Sequence, residues 1–350
     1  MKTYNIFTNK EDSLPHGKAD FLLAASVTKT CEIAGITRAG IPGLIPLAPT
    51  LDAEFITNQK VFSLGKTETL VGIPTPAVIT RAVHNLTPFS AIEILDLGLQ
   101  TKPLHSTCQD FGISPSGSIA EGANIDAKSV FAKGMQAGKT YELKGNFLIL
   151  GESIPSGTTT AEATVLALGY ECKNNFSSSF LDVPHSIKNE TINKALSLVN
   201  DEMGNFEKLS IVSDNMLIFC AGFLMEASRR FHVVLAGGTQ MAACLLIADK
   251  VKEDVLMRIK HDNITLATTE WAAKDKSSDI AHILSQLSFI PHALYTTFSF
   301  EKVTIPLLKK YDEGEDKEGV GVGAALGYAR ANKVTQDKLL EAIEYLLYTM

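Results

Sequence analysis

The chain has 350 residues, of which 45% are hydrophobic and 20% are charged, and its formal net charge is −7. This composition is typical of a globular protein with a large core, built as one big domain or two. The acidic charge argues against a nucleic-acid partner, since nucleic-acid surfaces are usually basic. The five cysteines show no CxxC spacing, so neither a disulfide framework nor a zinc ribbon is indicated.

The expected location is the cytoplasm, without a membrane partner. Residues 1–12 contain no apolar signal core, and scattered cysteines suit a reducing compartment. The most apolar region, 216–248, is interrupted by charged residues and by a pair of glycines. It is therefore not expected to span a bilayer.

In the first third of the chain, turn-forming residues separate short apolar runs. Residues 21–25 predict a buried strand, 77–83 a short helix and 91–96 a second strand. The Gly- and Pro-rich segment 40–49 and the Ser-, Gly- and Pro-rich segment 112–122 predict loops.

The centre of the chain is more regular, because strand-like and helix-like segments alternate there. Predicted strands cover 146–150, 210–212, 232–235 and 264–267, and predicted helices cover 161–170, 215–230 and 240–251. A last helix, capped by Thr335, is expected to reach about Tyr348 and to pack one apolar face on the core. We therefore predict an α/β fold: a mostly parallel, Rossmann-like sheet flanked by helices, with a smaller domain formed by the terminal segments.

The turn at 151–160 is the first candidate site. Its glycines let a ligand approach the backbone, and the start of the following helix favours a bound anion. The same pattern also suits an ordinary capped turn, and it is neither a P-loop nor the three-glycine dinucleotide fingerprint. A second turn, 237–239, is expected at the same rim, because ligands bind at the carboxyl ends of parallel strands. The candidate phosphate- and ribose-binding residues are Glu152, Ser153, Ser156, Gly157, Thr158, Thr159, Thr160, Gly237, Gly238 and Thr239. Glu152 would repel phosphate, so it is expected to face ribose hydroxyls or a backbone N–H.

The second candidate site is Glu318, which three alternate glycines follow. A tight backbone there would remove the carboxylate from water, raise its pKa and make it a better general base. A solvated carboxylate is the competing interpretation, and we assign it to Glu313, Glu315 and Asp316. The sequence contains no HxH, HExxH or Gly-x-Ser-x-Gly motif. We therefore expect no metal, and the usual hydrolase signal is absent.

These stretches resemble the nicotinate-nucleotide–dimethylbenzimidazole phosphoribosyltransferase family, and in particular a divergent, uncharacterised branch of it. Residues 151–159 are similar to the family's phosphate loop, 235–243 to its second glycine turn and helix, and 318–321 to its Glu-Gly-Thr-Gly segment. Residues 74–80 also resemble the divergent branch. Val320 replaces the family threonine, Val322-Gly323 replaces small residues after that segment, and Pro155-Ser156 differs from the better-studied phosphate loops. These departures leave the identity of the acceptor base open.

The resemblance implies a transferase that moves 5-phosphoribosyl from nicotinate mononucleotide to a benzimidazole-type base, as in cobalamin lower-ligand synthesis. It implies that Glu318 is the general base, that C1 inverts, that no cofactor is needed and that the protein is a homodimer. Residues 1–110 would contribute to the small domain and acceptor pocket, 111–310 would form the nucleotide-binding core, and 311–350 would carry the catalytic loop and a helix. The expected acceptor pocket includes Thr75, Pro76, Gly319 and Gly321.

Two other functions suit the same residues: a nucleotide-binding or regulatory protein without transferase activity, and an enzyme acting on another sugar phosphate. The transferase hypothesis requires the 151–160 turn and Glu318 to share one cavity.

Overall fold

A computed structural model of the chain describes residues 1–64 and 72–349. Eight strands lie within these residues: β1 Thr3–Asn5, β2 Ala19–Ala25, β3 Ala91–Asp96, β4 Cys108–Asp110, β5 Phe147–Ser153, β6 Val233–Ala236, β7 Ile264–Thr269 and β8 His292–Thr296. The α-helices described there are α1 Ala48–Asn58, α2 Ala77–Leu86, α3 Ala127–Thr140, α4 Gly157–Ala167, α5 His185–Leu196, α6 Asn205–Val212, α7 Asn215–Ala227, α8 Thr239–Val251, α9 Glu270–Ala273, α10 Ile280–Ser285, α11 Lys309–Glu313, α12 Val322–Ala331 and α13 Gln336–Thr349.

The strands form one sheet in the order β1-β8-β7-β6-β5-β2-β3-β4, and only β1 runs antiparallel to its neighbour. The predicted α/β fold with a mostly parallel sheet is therefore confirmed. Strands β5 and β2 lie next to each other at the centre of the sheet. The strands that follow β5 in the chain add on its side, from β6 to β8, whereas β3 and β4 add on the side of β2. The carboxyl ends of these central strands consequently meet at one rim, where open α/β sheets bind their ligands.

Both faces of the sheet are covered. In β5, Leu148 and Leu150 belong to the core shared with α3, α4, α7 and α8, whereas Phe147 and Ile149 belong to the core shared with α1, α2, α12 and α13. This arrangement explains the continuous apolar run of β5, because a strand buried on both faces has no solvent side on which to place polar residues.

Segments from both ends of the chain contribute to this architecture. Strand β1 pairs with β8, β2 lies between β5 and β3, and α12 packs on β6 and β7. The division into segments 1–110, 111–310 and 311–350, with a separate smaller domain, stays a prediction.

The sequence-based boundaries are wrong at several elements. Strand β5 extends to Ser153, so Gly151, Glu152 and Ser153 end the strand instead of opening the turn, and α1 begins at Ala48 within the predicted 40–49 loop. Residues 210–212, predicted as a strand, are the end of α6, whose start is stabilised by the Glu207 carboxylate accepting a hydrogen bond from the Gly204 N–H at 2.7 Å. The helix predicted at 161–170 begins at Gly157 instead.

Within the described parts of the chain, no helix combines the length and apolar character that a bilayer crossing requires.

Candidate active site

A cavity of about 140 Å³ opens at the carboxyl rim of the sheet. The loops after β5 and β6, the segment before α2 and the segment before α12 all contribute to its wall. The sequence-predicted residues that line it are Glu152, Ser153, Ser156, Gly157, Thr158, Gly238, Thr239, Thr75, Pro76, Glu318 and Gly319. The 151–160 turn and Glu318, separated by about half the chain, thus face one space.

Four predicted residues lie outside the cavity wall: Thr159, Thr160, Gly237 and Gly321. Thr160 turns its buried hydroxyl away, toward the Asp214 carboxylate. Gly321 serves packing, since a Cβ there would lie 2.8 Å from the Phe21 ring. Gly237 has a similar role, because a Cβ would lie 2.6 Å from the Met241 side chain.

The start of α4 supplies the anion-favouring part of the wall. Ser156 occupies the N-cap position in a left-handed conformation, with φ +62°. Its side chain makes no capping hydrogen bond, and its buried Oγ has no partner among the described residues. The next position, 157, favours glycine, because a Cβ there would lie 2.3 Å from the Gln240 amide nitrogen. The positive end of the α4 dipole therefore reaches the cavity wall at Gly157 and Thr158.

Glu318 is held by four donors. Its Oε2 accepts hydrogen bonds from the Thr268 hydroxyl at 2.7 Å and the Thr269 N–H at 2.9 Å. Its Oε1 accepts from the N–H groups of Gly319 at 3.2 Å and Gly323 at 3.0 Å. Burial raises the pKa of Glu318, and these hydrogen bonds oppose the rise because they favour the charged form. The result is a carboxylate fixed in orientation at the cavity wall.

The backbone after Glu318 is tightly curled. Gly319, Val320 and Gly321 have φ values of +138°, +50° and +73°. A β-branched residue rarely adopts positive φ, and such strain persists only where the surroundings hold it. Here the Val320 carbonyl accepts from the Thr80 hydroxyl at 2.8 Å, and its N–H donates to the Glu152 carbonyl at 2.9 Å. The curl places the Gly319 and Gly323 N–H groups on the Glu318 carboxylate.

Glu152 is a second cavity carboxyl with different electrostatics. Burial, followed by the nearby charges of Glu318, Asp52 and Asp214, raises its pKa to about 8. Its Oε2 accepts only a long hydrogen bond, 3.3 Å, from the Gln240 amide. Glu152 is therefore mostly protonated at neutral pH and can donate a hydrogen bond, which removes most of its repulsion toward an anionic ligand.

Several lining residues were missed by the sequence analysis. Asp52 reaches the cavity from α1, and Ser177, Ser178 and Ser179 form a hydroxyl-rich loop beside Thr239. Ser177 donates its N–H to the Thr239 hydroxyl at 3.3 Å. The triple serine and the acidic pair Asp52 and Glu54 within an apolar helix were visible signals, but nothing local related them to the 151–160 turn.

The acidic run after α11 is not the solvated loop that we expected. Glu313 is exposed, but Glu315 and Asp316 are buried. Glu315 pairs with Arg38 at 3.1 Å, and Asp316 lies in the cavity wall beside Lys317. The Lys317 ammonium lies 3.0 Å from the Asp275 carboxylate and donates to the Phe180 carbonyl at 3.1 Å. Residues 315–317 therefore connect the segments that carry Arg38, Asp275 and Phe180.

The histidine, cysteine and acidic side chains are those whose arrangement can hold a metal ion. Across residues 1–64 and 72–349, no group of three or more His, Cys, Asp or Glu side chains is arranged to hold a metal ion. His232, His282 and His292 bond to Thr265, the Glu171 carbonyl and Asp12, away from the cavity. The five cysteines are free thiols.

No protein-family model matches the chain. A UPF0284 protein of Methanocaldococcus jannaschii is 36% identical over 332 residues, which cover 91% of this chain and 92% of the relative. The chain belongs to the UPF0284 family. UPF0284 proteins of Sulfolobus acidocaldarius and Microcystis aeruginosa are 34% and 31% identical, over 94% and 93% of this chain and 94% and 92% of their own lengths.

Solved structures share the fold of this UPF0284 protein. A nicotinate-nucleotide–dimethylbenzimidazole phosphoribosyltransferase of Thermus thermophilus superposes with a TM-score of 0.59 at 16% identity, covering 95% of this chain and 83% of that one. A CobT structure from the same organism gives 0.59 at 17% identity, covering 95% and 85%. The fold expected from the resemblance is thereby confirmed for a UPF0284 member.

Proposed function

We propose that this UPF0284 protein is a phosphoribosyltransferase that moves 5-phosphoribosyl from nicotinate mononucleotide to a ring nitrogen of a benzimidazole-type base. The shared cavity carries the proposal: the anion-favouring start of α4 and the fixed Glu318 carboxylate line one space at the carboxyl rim of the sheet. The fold in common with the Thermus transferase supports the same reaction class.

In this proposal the nucleotide phosphate lies against residues 156–158 of the 153–160 turn, because the Ser153 hydroxyl already donates to Asp52. Gly157 and Thr158 stand at the positive end of the α4 dipole, and the buried Ser156 Oγ has no other described partner. The hydroxyls of Ser177–Ser179 add neutral donors from the loop beside Thr239. A protonated Glu152 faces the ribose hydroxyls without a full charge.

Glu318 then acts as general base. The acceptor N–H gives its proton to the carboxylate at Oε1, where the Gly319 hydrogen bond, at 3.2 Å the longest of the four, breaks to free a lone pair for it. The freed nitrogen lone pair attacks C1 of the ribose on the face opposite nicotinate, so the configuration inverts. The bond between C1 and the nicotinate nitrogen breaks, and its electron pair neutralises the positive ring nitrogen of the leaving group.

The test is nicotinate release. The protein is incubated with nicotinate mononucleotide and dimethylbenzimidazole, and free nicotinate is measured over time. Glu318→Gln should lower the rate by about 10²–10⁴-fold, the usual contribution of a general base, with nucleotide binding retained. Glu313→Gln is the matched control, because Glu313 is exposed five positions away and pairs with Lys310 on the surface.

Each outcome separates the candidates. Unchanged turnover in Glu318→Gln removes Glu318 from the mechanism. Nucleotide binding without nicotinate release favours a regulatory protein, and absence of both favours another sugar-phosphate substrate. The homodimer and cytoplasmic location remain part of the proposal, to be measured by light scattering and cell fractionation.

A further inference from the structure

Asp52 is a cavity residue to which the proposed reaction gives no role. It lies in the middle of α1, its side chain is only 8% exposed, and it contributes to the wall of the cavity that also holds Glu318. Burying a carboxylate is costly unless charge or hydrogen bonds compensate for lost water. No ion pair forms on Asp52 within the part of the chain that the structure describes.

Two neutral hydroxyls fix the Asp52 carboxyl. Thr75 donates to Oδ1 at 2.7 Å, and Ser153 donates to Oδ2 at 2.7 Å. A carboxylate accepts about four hydrogen bonds, so each oxygen retains acceptor capacity. Both hydroxyls belong to residues that line the same cavity. Their hydrogens are committed to Asp52, which leaves this stretch of wall rich in acceptors.

Asp52 and Glu318 belong to one continuous stretch of wall. Thr75 precedes Pro76, and a Cβ on Gly319 would lie 3.7 Å from the Pro76 ring, so these residues join the two carboxyls. A phosphate would be repelled by this wall, whereas a flat heterocycle with donors on two edges would match it. One N–H would face Glu318 and the other donor would face Asp52.

Resting on the proposed function, we propose that Asp52 accepts a hydrogen bond from the acceptor base and thereby selects its chemical class. The preferred acceptor is a nitrogen heterocycle that carries an amino or second N–H donor, rather than a base of equal size bearing only methyl groups. A methyl group against Asp52 would leave a buried charge without its partner, and sites built to bond a donor reject analogues that lack it.

The experiment compares 5-aminobenzimidazole with 5-methylbenzimidazole, whose substituents have nearly the same size. Nicotinate release with each base gives a ratio of kcat/KM values. The wild-type ratio should favour the amino base by about 10–100-fold, as expected for one charge-assisted hydrogen bond. Asp52→Leu should abolish this preference, and Asp52→Asn, which keeps the shape of the side chain, should reduce it.

The controls separate this inference from the proposed function. Asp201→Asn changes an exposed aspartate and should leave the ratio unchanged. Circular dichroism identifies any variant that does not fold, and Asp52→Asn then replaces Asp52→Leu. A wild-type ratio near one, a preference for the methyl base, or an unaltered ratio in folded Asp52 variants overturns the role of Asp52.

If nicotinate is released with neither base, the transferase proposal fails, and calorimetric titration of both bases still decides the role of Asp52. Tighter binding of the amino base that is lost in the Asp52 variants supports the inference without turnover. Equal binding of the two bases overturns it.

Discussion

At the scale of single residues, the fold raises the pKa values of three carboxyl groups in the cavity, those of Asp52, Glu152 and Glu318. Burial raises the pKa of Asp52 to about 6 and that of Glu152 to about 8, although hydrogen bonds oppose the shift in both. Glu318 is also shifted upward by burial, but four donors favour its charged form. The same wall thus holds Glu152, mostly protonated at neutral pH, and Glu318, whose charged form four hydrogen bonds favour, and perturbed carboxyl groups in one cavity are typical of acid–base sites.

Glu152 makes a stability prediction with a definite sign. Its pKa rises from 4.5 to about 8 on folding, so the native state binds more protons between these values, and stability falls as pH rises through this window. Glu152→Gln removes the penalty and keeps an amide beside Gln240. We expect the variant to be more stable than the wild type at pH 8, on the order of 4 kcal/mol, with little difference near pH 4.5.

Urea unfolding at the two pH values measures this difference. Glu341→Gln, at an exposed position in α13, is the control and should give equal stabilities throughout. A Glu152→Gln variant that is less stable than the wild type at pH 8 would show that the carboxylate is favourably bound in the native state.

At the scale of elements, the loops at the cavity rim are joined by a buried ion pair. Lys317 pairs with Asp275 at 3.0 Å, with side chains only 4% and 6% exposed, and it also donates to the Phe180 carbonyl. The Asp316 N–H donates to the Ser179 carbonyl at 3.2 Å. The serine loop, the α9 region and the segment carrying Glu318 are therefore held as one unit.

Lys317→Met should destabilise the protein by about 3–5 kcal/mol, because it leaves the Asp275 carboxylate buried without its cation. Adding Asp275→Asn should recover part of that loss. The exposed pair of Lys302 and Asp337, at 3.2 Å with both side chains 69% exposed, is the matched control. Lys302→Met should cost less than about 1 kcal/mol. Chemical unfolding gives the free energy of unfolding of the wild type, the two single variants and the double variant. Equal losses of stability in Lys317→Met and Lys302→Met would contradict the structural role of the buried pair.

The sequence predicted the strands and turns whose signals are local, and it missed the contacts that depend on tertiary structure. The apolar run of β5 and the glycine turn after it predicted a strand followed by a ligand-binding turn, because both patterns lie within about fifteen consecutive residues. The segment 210–212 looked like a strand from its apolar residues, but three residues are too few to exclude the end of a helix. No local sequence pattern marked Asp52 or Ser177–Ser179 as cavity residues, since only the folded chain brings them into the same cavity wall as Glu318.

At the scale of the whole molecule, distant segments share one sheet and one cavity. Strand β2, from the first third of the chain, lies directly between β5 and β3, and α12, from the last third, packs on β6 and β7. The cavity wall takes residues from each of these regions. Loss of either terminal region would expose apolar faces of the central strands, so local and global stability are coupled.

This coupling predicts that the chain unfolds as one cooperative unit. The single tryptophan, Trp271, stacks on Phe300 with ring centroids 5.7 Å apart, so its fluorescence reports the region between β7 and α12. Far-UV circular dichroism reports the helices of the whole chain. The two signals should give the same midpoint in urea, because coincident transitions are the test of two-state behaviour. If the smaller domain expected from the terminal segments were independent, part of the circular dichroism change would occur at a different urea concentration from the Trp271 change.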